Sequence, residues 1–227
     1  RPLLQIEDQY ASTRPDYYLT LSSKVAKRIE KYYRRDSEVI YPGVDTNFFY
    51  IDEKANRNFF LLVGRMTGYK QMDSVINSFA NLDDKLVVIG EGSQAEYLKS
   101  IAPNNVEFAG RVSDEKLRSF YQQAIGVISI QEEDFGLVPL EALACGTPII
   151  VNANSGVSEL LNNNCGVLIK REEIDQLAEV IRRFKNRSFN SVKCRKVALK
   201  YSNEQFIEKL KQKVESIYGN YFDKLNS

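Results

Sequence analysis

The stretch GVISIQEEDFGLVPLEALACGTPIIV, residues 126–151, begins and ends on short apolar runs and carries a helical pattern between them. Gly126 to Ile130 and Pro148 to Val151 are apolar at successive positions, as strands are when both faces are covered, so they read as buried parallel strands. The segment joining them turns from a strand end into a helix that opens near Gly136. The same unit recurs on both sides. Phe59 to Val63, Leu86 to Ile89, Val106 to Phe108 and Gly166 to Ile169 are further apolar runs. Helical patterns separate them: Met72 to Leu82 puts Val75, Ile76 and Phe79 on one face, and Ser113 to Gln123 does the same with Leu117, Phe120 and Tyr121. Ser113 suits an N-cap, and Asp114 and Glu115 suit the positive end of that helix dipole. Repeated strand-helix units predict an α/β fold, a doubly wound parallel sheet that binds ligands at the carboxyl ends of its strands.

Upstream, Tyr17 to Leu21 reads as a strand, Ser23 to Arg34 as a basic helix and Glu38 to Tyr41 as a second strand ending at Pro42-Gly43. Capping accounts for Ser22 and Ser23. Lys24, Lys27, Arg28, Lys31, Arg34 and Arg35 predict a solvated basic face, with peripheral contact to anionic lipid as the alternative, and Val25, Ile29 and Tyr32 are expected to be core. Downstream, Leu177, Val180, Ile181 and Phe184 form one apolar stripe, and Phe206, Leu210, Val214 and Ile217 another on a last helix from about Asn203 to Tyr221. That helix has few neighbours here and is expected to dock elsewhere.

The chain of 227 residues opens without an initiator Met, and its first stretch up to Asp16 has no apolar run fit for a bilayer span or signal peptide. It is therefore expected to be a soluble piece of something larger, one complete core plus an appendage. Thirty-one Lys and Arg against 30 Asp and Glu leave a net charge of +1, which recruits no nucleic acid. Cys145, Cys165 and Cys194 are odd in number and far apart, which argues against a disulfide framework and points to a reducing cytoplasm. With no histidine in the chain, Ser-His-Asp and Cys-His chemistry is excluded within it, and so are the usual zinc spacings. Carboxylates, amides and basic groups must carry the chemistry.

The helix opening near Gly136 would aim unpaired amides and a positive dipole end at an anion, for which a diphosphate is a natural occupant. Glu141 would stand about 7 to 8 Å further along the axis, while Glu133 stays outside the helix. The two carboxylates can then flank a diphosphate, one accepting from ribose hydroxyls and one from a transferred hexose. Taken singly, either is as well explained as a surface acid. A second cluster, Gly64-Arg65-Met-Thr-Gly-Tyr-Lys70, follows an apolar strand and brings two cations to phosphate oxygens, Arg65 bidentately and Lys70 as a point charge. Their charge would stabilise a departing nucleoside diphosphate. The turn at Gly90 and Gly92 is either a plain tight turn or a close approach to ligand. Phe108-Ala-Gly110-Arg111-Val112 ends another strand, where exposed backbone can read a nucleobase edge and Arg111 positions rather than catalyses.

These motifs resemble the C-terminal donor-binding domain of family 4 glycosyltransferases, which have the GT-B fold of two Rossmann-like halves. The likeness rests most on Glu133 and Glu141 separated by seven residues, with Phe135-Gly136 and Ala144-Cys-Gly-Thr-Pro148 around them, and on the basic pair Arg65 and Lys70. It runs from about Asp16 to Phe206 and includes Tyr41-Pro-Gly-Val-Asp45 and Tyr201-Ser-Asn-Glu-Gln-Phe206. Gln71 and Asp134 stand where many relatives have glycine.

The resemblance implies that Glu133 contacts the donor hexose, Glu141 the ribose, Arg65 and Lys70 the diphosphate, and Arg111-Val112 the base. Gly136 and Leu137 supply amides beside Phe135, and Gly64, Gly90 and Gly92 complete the donor pocket. It implies transfer with retention and no required metal or other cofactor. The wording around Gln71 and Glu132 to Gly136 is similar to bacterial mannosyltransferases of surface polysaccharide synthesis, so GDP-mannose is the favoured donor and a UDP-hexose the alternative. The implied layout is residues 1–41 as a strand-helix remnant of the N-terminal acceptor domain with its linker, 42–200 as the donor domain, and 201–227 as a long helix crossing back. The expected function is hexosyl transfer to a glycan or lipid-linked acceptor held by the other domain, at the inner face of the membrane or in the cytoplasm, with this chain alone inactive. Rival readings are a non-catalytic nucleotide-sugar-binding module and a nucleotide-sugar epimerase of the same architecture.

Overall fold

The computed structural model describes residues 2–161 and 164–225. In chain order it contains α1 (Pro2–Ala11), β1 (Leu19–Thr20), α2 (Ser23–Tyr33), β2 (Glu38–Val39), β3 (Phe59–Val63), α3 (Met72–Ser78), β4 (Leu86–Ile89), α4 (Ala95–Ile101) and β5 (Val106–Gly110). There follow α5 (Asp114–Gln123), β6 (Ala124–Ser129), α6 (Leu137–Ala144), β7 (Ile149–Asn152), β8 (Gly166–Ile169), α7 (Leu177–Lys185), α8 (Ser191–Leu199) and α9 (Asn203–Leu225). β3 to β8 form one six-stranded parallel sheet in the order β5-β4-β3-β6-β7-β8. Successive side chains of each strand serve opposite cores, which is why the strands read as unbroken apolar runs. Leu61, Val87, Val127 and Ile149 pack with Phe49, Tyr121, Leu140 and Leu143 on one face. Phe60, Val88, Ile128 and Ile150 pack with Ile76, Phe79, Ile181 and Phe184 on the other.

Strand order reverses between β3 and β6, since β3 is followed by β4 on one side and paired with β6 on the other. Such a reversal leaves a crevice at the carboxyl ends of the two strands, where neither chain continuation covers its neighbour. The loops after β3 and β6 are the two that carry the basic and acidic motifs.

Several expectations need correction. The helix expected over Met72 to Leu82 is α-helical only to Ser78 and ends in a 3-10 turn, Phe79–Asn81. There the amide of Asn105 bonds the carbonyls of Phe79 and Leu82 at 3.0 and 2.8 Å, taking up groups that a longer helix would use itself. The upstream strands are shorter than their apolar runs, two residues each, and pair in parallel around α2. Val25 and Ile29 are half-buried and Tyr32 is 57% exposed, because a two-stranded sheet gives α2 little surface to pack on. Helix α1 has no counterpart in the sequence reading; its Leu3, Leu4, Ile6 and Tyr10 face solvent, so no core-facing stripe announces it. Ser22 caps α2 as expected, its hydroxyl accepting from the Val25 amide at 3.3 Å. Helix α9 returns towards β2, where Lys213 pairs with Glu38, and its Val214 is 52% exposed. All three cysteines are buried, and burial pushes the Cys145 thiol up to about 12. Among the described residues no helix is long and apolar enough to cross a membrane.

Candidate functional site

After β6 the chain runs through Glu133 to Gly136, which adopts φ +108° and forms the N-cap of α6. A side chain is disfavoured at that φ, and the glycine leaves the first amides of α6, including that of Leu137, without a side-chain cap. Across the crevice, the β3 loop delivers Lys70, whose ammonium pairs with the Glu133 carboxylate. Their side chains are 13% and 21% exposed, so the pair is shielded from water and stronger than a surface ion pair. Lys70 and Glu133, expected on different parts of one ligand, thus neutralise each other in this structure. Arg65 is exposed on the same loop, and no ion pair of its guanidinium exists among the described residues.

The β3 loop is built on its neighbours. Gly64 donates to the Ile89 carbonyl at 3.0 Å, Met66 to that of Glu91 at 2.9 Å, and Gly90 to that of Gly110 at 2.9 Å. A Cβ on Gly90 would lie 1.9 Å from the Gly64 carbonyl oxygen, and one on Gly92 would lie 2.3 Å from that of Met66. Both positions therefore require glycine so that three strand-end loops can stack, a steric reason for the residue type that is independent of any contact with ligand. The Thr67 hydroxyl is the one buried side-chain polar atom without a partner among the described residues. Left without a partner, such a group costs about 1–3 kcal/mol. The backbone strain of the loop lies at Gln71, which closes the 3-10 turn Gly68–Lys70 in the left-handed region at φ 51° and ψ 33°. Glycine adopts that conformation without the steric cost a side chain meets there. Gln71→Gly is expected to raise stability by up to about 1 kcal/mol, read as a higher midpoint in urea unfolding.

Several residues that fix the acidic loop were not singled out from sequence. Ser155 accepts from the Glu133 amide at 3.3 Å and donates to the Gln131 carbonyl at 2.8 Å, and the Gly156 amide bonds the Glu133 carbonyl at 3.2 Å. The only local signal was a run of Asn, Ser and Gly after a strand, Asn152 to Gly156. From the other side, α2 reaches over the loop. Lys24 pairs with Glu132 at 3.4 Å and Arg28 with Asp134 at 2.8 Å, so the basic face is partly engaged rather than wholly solvated. Asp134 thus has a role that glycine lacks. Glu159 receives the Ser23 and Lys24 amides at 3.1 and 3.2 Å and the Tyr41 hydroxyl at 2.8 Å, tying α2 to the β7 side of the sheet. These bonds to its charged form hold the Glu159 carboxyl below its ordinary value against the opposing effect of burial.

The remaining positions divide. Glu141, on the second turn of α6, faces α5 and accepts from the Tyr121 hydroxyl at 2.7 Å. Burial pushes its carboxyl up, and the Tyr121 hydrogen bond opposes that. The Phe135 ring is 4% exposed and lies 6.1 Å from Tyr41, so it is a packing group. Its carbonyl accepts from the Val157 amide at 2.8 Å, which ties the acidic loop to the turn after β7. Leu137 is 47% exposed at the head of α6. Beyond β5, Arg111 is exposed and Val112 packs against the core beneath it.

The fold that carries this site has counterparts among known proteins. Residues 44–202 match the family described as glycosyl transferases group 1. The chain is 26% identical over 179 residues to an uncharacterized glycosyltransferase of Methanocaldococcus jannaschii, covering 76% of this chain and 50% of the relative. It is 32% identical over 195 residues to the O-antigen chain mannosyltransferase of Salmonella typhimurium, covering 76% of this chain and 55% of that one. The chain thus spans about half the length of these curated relatives. The sucrose-phosphate synthase structure from Thermosynechococcus elongatus superposes with a TM-score of 0.82 at 19% identity, over 97% of this chain and 63% of that one. The chain belongs to the group 1 glycosyl transferases, with the α/β architecture of their GT-B fold.

Proposed function

We propose that the crevice between the β3 and β6 loops binds a nucleotide-activated hexose, and that the chain is the donor-binding half of a retaining hexosyltransferase. The observation that carries this reading is the meeting of Lys70, Glu133 and the uncapped amides of α6 at the switch point of the sheet. A diphosphate set against those amides takes Lys70 and Arg65 as its cations, and breaking the Lys70–Glu133 pair frees the carboxylate to accept from hexose hydroxyls. Glu141 takes the ribose and the strand end at Arg111-Val112 the base.

In this reading the leaving diphosphate departs on the face from which the acceptor hydroxyl attacks, so the anomeric configuration is retained. The cations and amides stabilise its growing charge, and this chain's residues supply that stabilisation without a metal. Glu133 orients the sugar. The acceptor, a glycan or lipid-linked glycan, is held by the remainder of a longer protein. GDP-mannose is favoured as donor over a UDP-hexose, on the support of the mannosyltransferase name carried by the Salmonella relative.

Glu133→Gln tests the sugar-binding role. Titrated with GDP-mannose and with GDP, the wild-type chain is expected to prefer the sugar nucleotide. The variant is expected to bind GDP at least as well and to lose that preference by about tenfold, as for a hydrogen bond to a charged group. An undiminished preference would remove the assignment of Glu133 to the hexose.

A further inference from the structure

Tyr121 is fully buried in the core beneath the site, on α5. Its ring meets Phe49 edge-on at 5.9 Å, and its carbonyl accepts from the Thr147 hydroxyl at 2.6 Å, so neither ring nor backbone has room to swing. A phenol in such a place is disfavoured relative to phenylalanine unless its hydroxyl has a partner. The partner is Glu141, held through Oε2. The other oxygen, Oε1, accepts no hydrogen bond among the described residues, nor is it sealed away as the Thr67 hydroxyl is.

We propose that Tyr121 is the positioning residue of the ribose subsite: it clamps one oxygen of Glu141 and leaves the other, correctly aimed, for the ribose hydroxyls of the nucleotide. This rests on the reading above that Glu141 takes the ribose. A glutamate on a short helix would otherwise sample several rotamers, and a fixed donor within an immobile core removes that freedom before ligand arrives. The electrostatics agree with the geometry. Burial and Asp114 on α5 push the Glu141 carboxyl up, and the Tyr121 hydroxyl, donating to the ionised form, pulls it back. Cys145, which caps the C-terminus of the helix bearing Glu141, is a further titratable neighbour, and Arg118 and Arg195 bear on that thiol. Only ionised Glu141 can accept through both oxygens at once, one from Tyr121 and one from the ribose. Ribose recognition is therefore lost as pH falls through its raised pKa, and removing the Tyr121 hydroxyl moves that loss to higher pH.

The test titrates the chain with GDP or UDP, whichever binds more tightly, and with the matching 2′,3′-dideoxy nucleotide. In the wild type the ribonucleotide is expected to bind better. Tyr121→Phe is expected to cut that preference about three- to tenfold, leave dideoxynucleotide affinity unchanged and raise the pH at which the preference disappears. Glu141→Asp, which withdraws the carboxylate from the fixed hydroxyl, is expected to cut the preference as well, and serves if the phenylalanine variant fails to fold. Equal weakening of both nucleotides, or an unchanged preference and pH profile, would overturn the role of Tyr121. A wild type that does not discriminate, or discrimination surviving Glu141→Gln, would instead overturn the ribose reading on which it depends.

Discussion

Lys70→Ala is expected to weaken binding of GDP or UDP by about ten- to a hundredfold, the range for a charge-assisted hydrogen bond lost from a shielded site. Two effects add. The variant removes a cation from the diphosphate, and it leaves the Glu133 carboxylate unpaired in a crevice where that side chain is only 21% exposed. The second effect places a bare negative charge beside the phosphates. Glu133→Gln separates the contributions, because it frees Lys70 without removing it and so should not weaken the plain nucleotide. Arg65→Ala should cost less, since Arg65 is exposed and its charge is screened. Isothermal titration of the three variants ranks them, and a Lys70→Ala chain that binds as tightly as wild type would place the diphosphate elsewhere.

Gly90→Ala is expected to destabilise the chain by about 3–5 kcal/mol, from backbone strain and overpacking together. The added carbon would stand 1.9 Å from the Gly64 carbonyl oxygen, and the residue sits at φ +138°, so neither a rotamer change nor a flexible neighbour relieves the clash. The β3 and β4 loops must separate, and the loop bearing Arg65 and Lys70 moves with them. Nucleotide binding should therefore fall along with the midpoint of denaturant unfolding. A loss below about 1 kcal/mol would show that the stacked loops are not the rigid support described above.

The strands were legible because helices cover both faces of the sheet, so each strand is an unbroken apolar run; β3, β4 and β8 fall at the expected bounds. The start of α6 was legible from Gly136, and the cap of α5 from Ser113, whose hydroxyl accepts from the Lys116 amide at 3.4 Å. Pairings across the sheet were not legible. Lys70 and Glu133 are 63 positions apart and meet because β3 lies beside β6, an order no local pattern dictates. Arg28 and Asp134 are 106 apart, and their bond turns a basic face that read as solvated into a brace for the acidic loop. Tyr121 registered as one more apolar position on a helical face, since periodicity places a ring without saying where its hydroxyl goes. At Gly90 and Gly92 the residue type was informative but its cause was not: the approach that excludes a side chain comes from the neighbouring loops. Gln71 was visible only as a departure, and its left-handed backbone supplies the reason.

The most direct measurement of the central claim is calorimetric titration of the folded wild-type chain with GDP and with UDP. The account predicts saturable one-to-one binding of at least one of them below millimolar concentration, abolished or strongly weakened in Lys70→Ala and weakened further by salt. No heat of binding from either nucleotide at millimolar concentration, in a sample with a cooperative unfolding transition, would contradict it.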